Sequence, residues 1–220
     1  MLKLNMGCGQ NKLAGYVNVD KFEAAEPDVL LDLEQRDWMW IRPSASVVGD
    51  LVGWEESSAS EVLFNHSLEH MGADPAVFMR IMQNLYRVCA PDAVVQINVP
   101  HPRHDHFIGD PTHVRIVTPE VLSLFSKKNC VRWAEVRAAN SPLALYADVD
   151  FELVYTKTIL DGRWAEMFDK GLINAIKLNE ALRQHNNVAK EYRMTLKAVK
   201  PAPAVENPAV ANSPALAVAS

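Results

Sequence analysis

Four of the seven histidines fall in one short stretch, 101-HPRHDHFIGDPTHVR-115. His101, His104, His106 and His113 share it with Asp105 and Asp110. Imidazole titrates near neutral pH, so it can take a proton from a hydroxyl, thiol or amine, and a nearby carboxylate can orient the ring. His104, Asp110 and His113 are the catalytic candidates. His113 follows Asp110-Pro111-Thr112 and is the first choice for a shaped position, as a base or as a structural corner. The same composition suits several divalent ions. The spacing His101-x-x-His104-x-His106 matches no strong zinc template, however, so no residue is assigned to a metal. His185 stands apart at a polar helix end and reads as solvated surface.

A second pair of histidines lies in 66-HSLEH-70, which matches the inverted zinc-protease pattern H-x-x-E-H. That chemistry needs both histidines on one helical face, with the glutamate as general base. Here His66 directly follows a strand-like run, and Met71-Gly72 closes the segment. Five-letter motifs also recur by chance. A zinc-dependent hydrolase built on His66, Glu69 and His70 stands as an alternative, beside the plainer reading of satisfied polar residues at a strand end.

The N-terminal stretch 1-MLKLNMGCGQNKLAGYVNVD-20 places Gly7 and Gly9 after one apolar run and Asp20 at the end of the next. Glycine serves where backbone approaches a ligand or takes positive φ. An acid ending the following strand can accept from a ribose diol. The third glycine of GxGxxG is missing, as is room for a helix to hold a pyrophosphate. The P-loop pattern is absent too. This favours a nucleoside without a pyrophosphate, such as S-adenosylmethionine; an ordinary tight turn is the plain alternative.

These residues need elements to position them. Strands are expected at Leu2–Met6, Tyr16–Asp20, Val29–Leu31, Glu61–Asn65, Ala93–Val99, Phe151–Leu160 and Tyr192–Val199. Asp74 and Pro75 cap a helix whose apolar residues Val77, Phe78, Ile81, Met82, Leu85 and Val88 repeat with helical spacing. Thr118-Pro119-Glu120 opens a second helix, and Trp164 to Arg183 reads as a third. Most of Glu34 to Ser60, with Trp38, Trp40 and Trp54, reads as loop. Only Gly7 to Gly15 separates the first two strands, so one turn or none is expected there. The fold class is α/β: a three-layer sandwich with a mostly parallel central sheet and a late antiparallel strand pair. The histidine loop begins where the fifth strand ends, at the sheet edge where such folds bind ligands.

LNMGCG…GYVNVD, DVLLDLEQ, FNHSLEH and LYRVCAPDAVVQINVP, in that order, resemble a class I S-adenosylmethionine-dependent methyltransferase domain. DPTHVRIVTPE is similar to a subset of small bacterial members. The resemblance implies a Rossmann-like fold, S-adenosyl-L-methionine as cofactor and methyl transfer to a small or medium O, N or S nucleophile. It puts Met6, Gly7, Cys8 and Gly9 against the methionine part of the cofactor and Asp20 on the ribose. Asp32 and Leu33 flank the adenine. Asn65 and His66 face the sulfonium side, with Leu68 beneath. The family's Lys-Pro-Gly-Gly-like turn is here Ala90-Pro91-Asp92-Ala93. A non-catalytic binding protein of this fold is the alternative that altered turn favours.

With 220 residues, 49% of them hydrophobic, the chain can bury one sizeable core. One domain over residues 1–199 and a disordered Pro/Ala-rich tail over 200–220 are expected. The net charge of -5 argues against nucleic acid and membrane surfaces as partners. A small-molecule, glycan or lipid acceptor is expected instead. Cys8, Cys89 and Cys130 are scattered, with no CxxC pair, and no signal peptide or long apolar run is seen. A cytoplasmic protein is expected; the oligomeric state is not indicated.

Overall fold

Strict alternation of side chains organises the sheet. In β1 (Leu2–Met6) and β2 (Val17–Asp20), Leu4, Met6 and Val19 face the core while Asn5 and Asn18 face the other way. The computed structural model describes residues 1–35, 37–39, 42–43 and 54–201. Its remaining strands are β3 (Val29–Leu30), β4 (Arg42–Pro43), β5 (Ala59–Asn65), β6 (Cys89–Pro100), β7 (Phe151–Leu160) and β8 (Ala189–Ala198). They form one eight-stranded sheet in the order β4-β3-β2-β1-β5-β6-β8-β7. β3, β2, β1, β5 and β6 are mutually parallel; β8 runs antiparallel to both β6 and β7.

The core lies on the face carrying Leu4, Met6, Val19, Val62, Phe64, Val95, Ile97, Met194 and Leu196. Helix α1 (Pro75–Val88) lays Phe78, Ile81, Met82 and Leu85 on it. As expected from the sequence, Asp74 caps α1 through its side chain and Pro75 occupies the first turn, where no N–H is needed. The opposite face carries polar side chains that bond one another. Tyr16 Oη donates to Glu61 Oε1 at 2.6 Å and Gln96 Nε2 to the same oxygen at 2.8 Å; Asn98 Nδ2 donates to Asn65 Oδ1 at 3.0 Å. Among the described residues, the β1–β2 crossover holds no helix and the β2–β3 crossover only one 3-10 turn, Glu23–Ala25.

Four expectations change in detail. The stretch expected as a turn, Ala90 to Ala93, bulges from the ladder inside β6: Ala59 pairs with Cys89, and Glu61 pairs next with Val94. Asp92 takes φ +59 there, a left-handed conformation that aspartate tolerates better than most residues. After β6 come α2 (Asp105–Ile108), α3 (Pro119–Ser123), α4 (Lys127–Glu135) and α5 (Leu143–Tyr146). Of these only α3 has its start in the Thr118-Pro119 signal; α4, capped by Ser126, was not foreseen. The helix expected over Trp164 to Arg183 is two, α6 (Gly162–Asp169) and α7 (Ala175–Gln184), separated by Gly171 at φ +67. At the sheet edge, β7 shifts register against β8 between Leu153 and Tyr155, leaving Val154 unpaired, and again between Ile159 and Leu160. Trp40 and residues 202–220, most of the tail expected to be disordered, lie outside the described residues.

Candidate functional site

The chain leaves β1 into Gly7 and Gly9, both at positive φ (+67 and +48). Gly7 is tight: a Cβ there would come within 2.6 Å of Ser67 Cβ, just after β5. Ser67 Oγ donates to Met6 carbonyl at 2.7 Å, closing the two strand ends on each other. Gly9 is the opposite case, since a Cβ there would meet nothing within 4 Å and would enter open space. The Gly9 N–H donates to Asp20 Oδ2 at 2.8 Å, and the Phe22 N–H to Asp20 Oδ1 at 2.9 Å. Asp20 is thus fixed at the end of β2 with a lone pair left on each oxygen.

No helix braces this loop. Two buried asparagines do so. Asn5 Nδ2 reaches Asn18 Oδ1 and the Asn11 carbonyl; Asn18 Oδ1 also accepts from the Leu13 N–H, and its amide donates to Asp28 Oδ2. Sequence reasoning missed both. Their signal was an asparagine between apolar neighbours inside each strand, LKLNM and VNVD.

A cavity of about 420 Å³ opens at the carboxyl ends of β1, β2, β3 and β5. Its walls include Gly7, Gly9, Asp20, Asp32, Leu33 and His66, six of the residues singled out as cofactor-binding. Lys21, Phe22, Leu31, Glu34, Ser67, His70, Met71 and Thr112 complete them. Met6 and Cys8 are buried and do not line it, and Asn65 turns to the polar face of the sheet. Asp32 Oδ1 accepts from the Glu34 N–H at 3.0 Å, while Glu34 Oε1 accepts from the Gly72 N–H at 2.7 Å. Cavities of roughly 300–1,000 Å³ suit small molecules, and the space in front of Gly9 is open to a ligand.

His66 stands at the mouth with φ +53. Its Nε2 lies 3.0 Å from Glu191 Oε2, and its Nδ1 lies 3.7 Å from Glu69 Oε1, too far for a hydrogen bond. Glu69 is the largest influence on the ring and raises its pKa; burial opposes, and Glu191 raises it further. The two histidines of 66-HSLEH-70 do not share a helical face: His66 ends a strand and Leu68–His70 is a 3-10 turn. The inverted zinc-protease arrangement is not formed.

Of the three catalytic candidates, Asp110 and His113 lie together, with His113 Nε2 3.8 Å from Asp110 Oδ2, while His104 stands apart. His104 is 5% exposed and caps α2, its Nδ1 accepting from the His106 N–H at 3.0 Å, with Nε2 3.5 Å from Asp161. It does not line the cavity. Arg103 beside it donates to the Leu182 and Arg183 carbonyls, tying the histidine loop to the end of α7. Asp110 is half-buried and accepts from Thr112 Oγ1 at 2.6 Å. His113 does not line the cavity but packs on His70, which does, with ring centroids 4.5 Å apart. The Val114 and Arg115 N–H groups donate to the Glu69 carbonyl and dock this corner on the turn after β5.

No family model matches the sequence, and no curated protein matches it. Solved structures do. A SAM-dependent methyltransferase from Archaeoglobus fulgidus superimposes with a TM-score of 0.52 at 15% identity, over 89% of this chain and 85% of that one. The protein has the class I methyltransferase fold. A SAM-dependent methyltransferase from Methanosarcina mazei is also similar, with a TM-score of 0.46, 13% identity, and 90% and 92% of the two chains covered. Within the methyltransferase fold, the glycine loop and Asp20 occupy the carboxyl edge of the parallel strands, where open α/β sheets take their ligands.

Proposed function

We propose that the protein is an S-adenosylmethionine-dependent methyltransferase acting on a small-molecule, glycan or lipid acceptor through O, N or S. The observation that carries this is Asp20, held by the Gly9 and Phe22 N–H groups at the cavity wall in a methyltransferase fold. The cofactor supplies a methyl group on sulfur, a leaving group that needs little help. The chain supplies binding and alignment. Asp20 accepts from the ribose hydroxyls through its remaining lone pairs. Asp32 Oδ2 accepts from the adenine amino group, and Leu31 and Leu33 provide an apolar wall. His66, flanked by Glu69 and Glu191, takes the acceptor's proton. The His104 and Asp110 side chains shape the loop.

Calorimetric titration with S-adenosylhomocysteine tests this reading. Micromolar binding to the wild type that weakens more than about tenfold in Asp20→Ala, and less in Asp20→Asn, supports it. A folded wild-type protein that does not bind overturns it.

A further inference from the structure

We infer that Glu69, His70 and His113 form a binding site for one divalent transition-metal ion at the rim of the cavity. The three residues can each bring one ligand atom within 4.8 Å of the other two. The H-x-x-E-H motif pairs Glu69 and His70 with His66; the cluster found here replaces His66 by His113, from the distant histidine loop.

The hydrogen bonds around the cluster fix which nitrogens are free. Thr112 Oγ1 donates to Asp110 Oδ1 at 2.6 Å, so it accepts from His70 Nδ1 at 2.9 Å. His70 Nδ1 therefore carries its proton, and Nε2 carries a lone pair. His113 Nδ1 lies 3.0 Å from the Phe107 carbonyl, which can only accept. That ring too keeps its proton on Nδ1 and presents a bare Nε2. An imidazole whose second nitrogen donates to a carbonyl or to a carboxylate-backed hydroxyl is the usual support of a metal ligand.

Glu69 supplies the second, independent observation. Its side chain is 1% exposed, and neither carboxylate oxygen has a hydrogen-bond partner. A buried carboxylate without a hydrogen bond is costly. The nearest ionisable ring, His66, is 3.7 Å away and bonded to Glu191. Two acceptor nitrogens and one carboxylate with no donor among them call for a cation. Two imidazoles and a carboxylate suit zinc, cobalt, nickel or iron rather than magnesium or calcium. His70 and Thr112 also line the cavity. An ion held here leaves coordination positions facing that space, where an oxygen of an acceptor can bind.

The inference does not depend on methyl transfer, and its test does not use it. Tag-free, chelator-treated protein is titrated with Co²⁺ followed by visible absorption, and with Zn²⁺ by calorimetry. One equivalent of each is expected to bind. Affinity should fall by at least about tenfold in His70→Ala and in Glu69→Gln. Thr112→Val, which removes only the support of His70, should lose roughly 10–100-fold. Circular dichroism and an unchanged urea midpoint separate loss of the site from loss of the fold. Absence of binding to folded wild type, or equal binding by His70→Ala, overturns the site. Should Glu69→Gln fail to fold, His70→Ala and Thr112→Val still decide.

Discussion

Asn5 and Asn18 sit opposite each other in the parallel β1–β2 pair, and Asn5 Nδ2 donates to Asn18 Oδ1 at 2.9 Å. The pair takes the place of a crossover helix. It gathers the Asn11 carbonyl, the Leu13 N–H and Asp28 around one buried amide cluster. Asn18→Ala strands several of these groups at once. It is expected to lower stability by about 3 kcal/mol, the upper end for unsatisfied buried groups. Urea unfolding measures this, and Asn5→Ala combined with it should add less than its single cost, because the two share partners.

Gly7 and Gly9 separate structure from binding. Gly7→Ala meets both a left-handed backbone and Ser67 Cβ at 2.6 Å. A loss of about 2–3 kcal/mol in stability is expected. Gly9→Ala carries the same left-handed strain but meets nothing within 4 Å, and its methyl enters the cavity. It should lower stability less than Gly7→Ala while weakening binding of S-adenosylhomocysteine. Thermal unfolding with and without ligand reads both effects.

His66 gives a pH dependence of known sign. Its pKa is raised in the folded state, first by Glu69. The stability this contributes is present in full below the ordinary imidazole pKa and is lost as pH rises through the higher folded value. His66→Asn, which suits the left-handed backbone at this position, should therefore destabilise the protein below neutral pH and converge on the wild type above it. Urea midpoints across pH 5 to 9, a range of roughly two units either side of neutral, check this. A methyl-transfer rate that needs the neutral ring should rise over the same interval.

The cysteines are expected to be inert. Burial, with Asp20 next, pushes the Cys8 thiol up to about 11, and burial pushes Cys89 up to about 12. Cys130 is buried as well. Iodoacetamide at mildly alkaline pH should leave all three unlabelled in the native protein and alkylate them in denaturant, as intact mass will show.

Much of the scaffold was legible because its signals are local. Asp74-Pro75 announced α1, and the alternating runs of β1, β2, β5 and β7 announced strands. The cavity wall was legible where a residue type answers to one geometry, as with Gly7, Gly9 and Asp20. What escaped depends on pairs far apart in the chain. His113 meets His70 only because the Glu69 carbonyl accepts from Val114 and Arg115. His104 looked catalytic by type, yet an imidazole caps a helix as readily as it moves a proton. Glu191, which flanks His66, lies in a strand read only for its apolar half.

The bulge at Val154 bears on what this molecule does in company. β7 is the outermost strand and is ten residues long. A straight edge of that length would offer its unpaired N–H and carbonyl groups to any neighbouring chain. The extra residue breaks the spacing midway, and Lys157 follows three positions on, exposed. A second copy arriving edge to edge would find neither a regular ladder nor a neutral one. The same small irregularity that spoils the pairing within the sheet thereby makes this edge a poor template for strand addition.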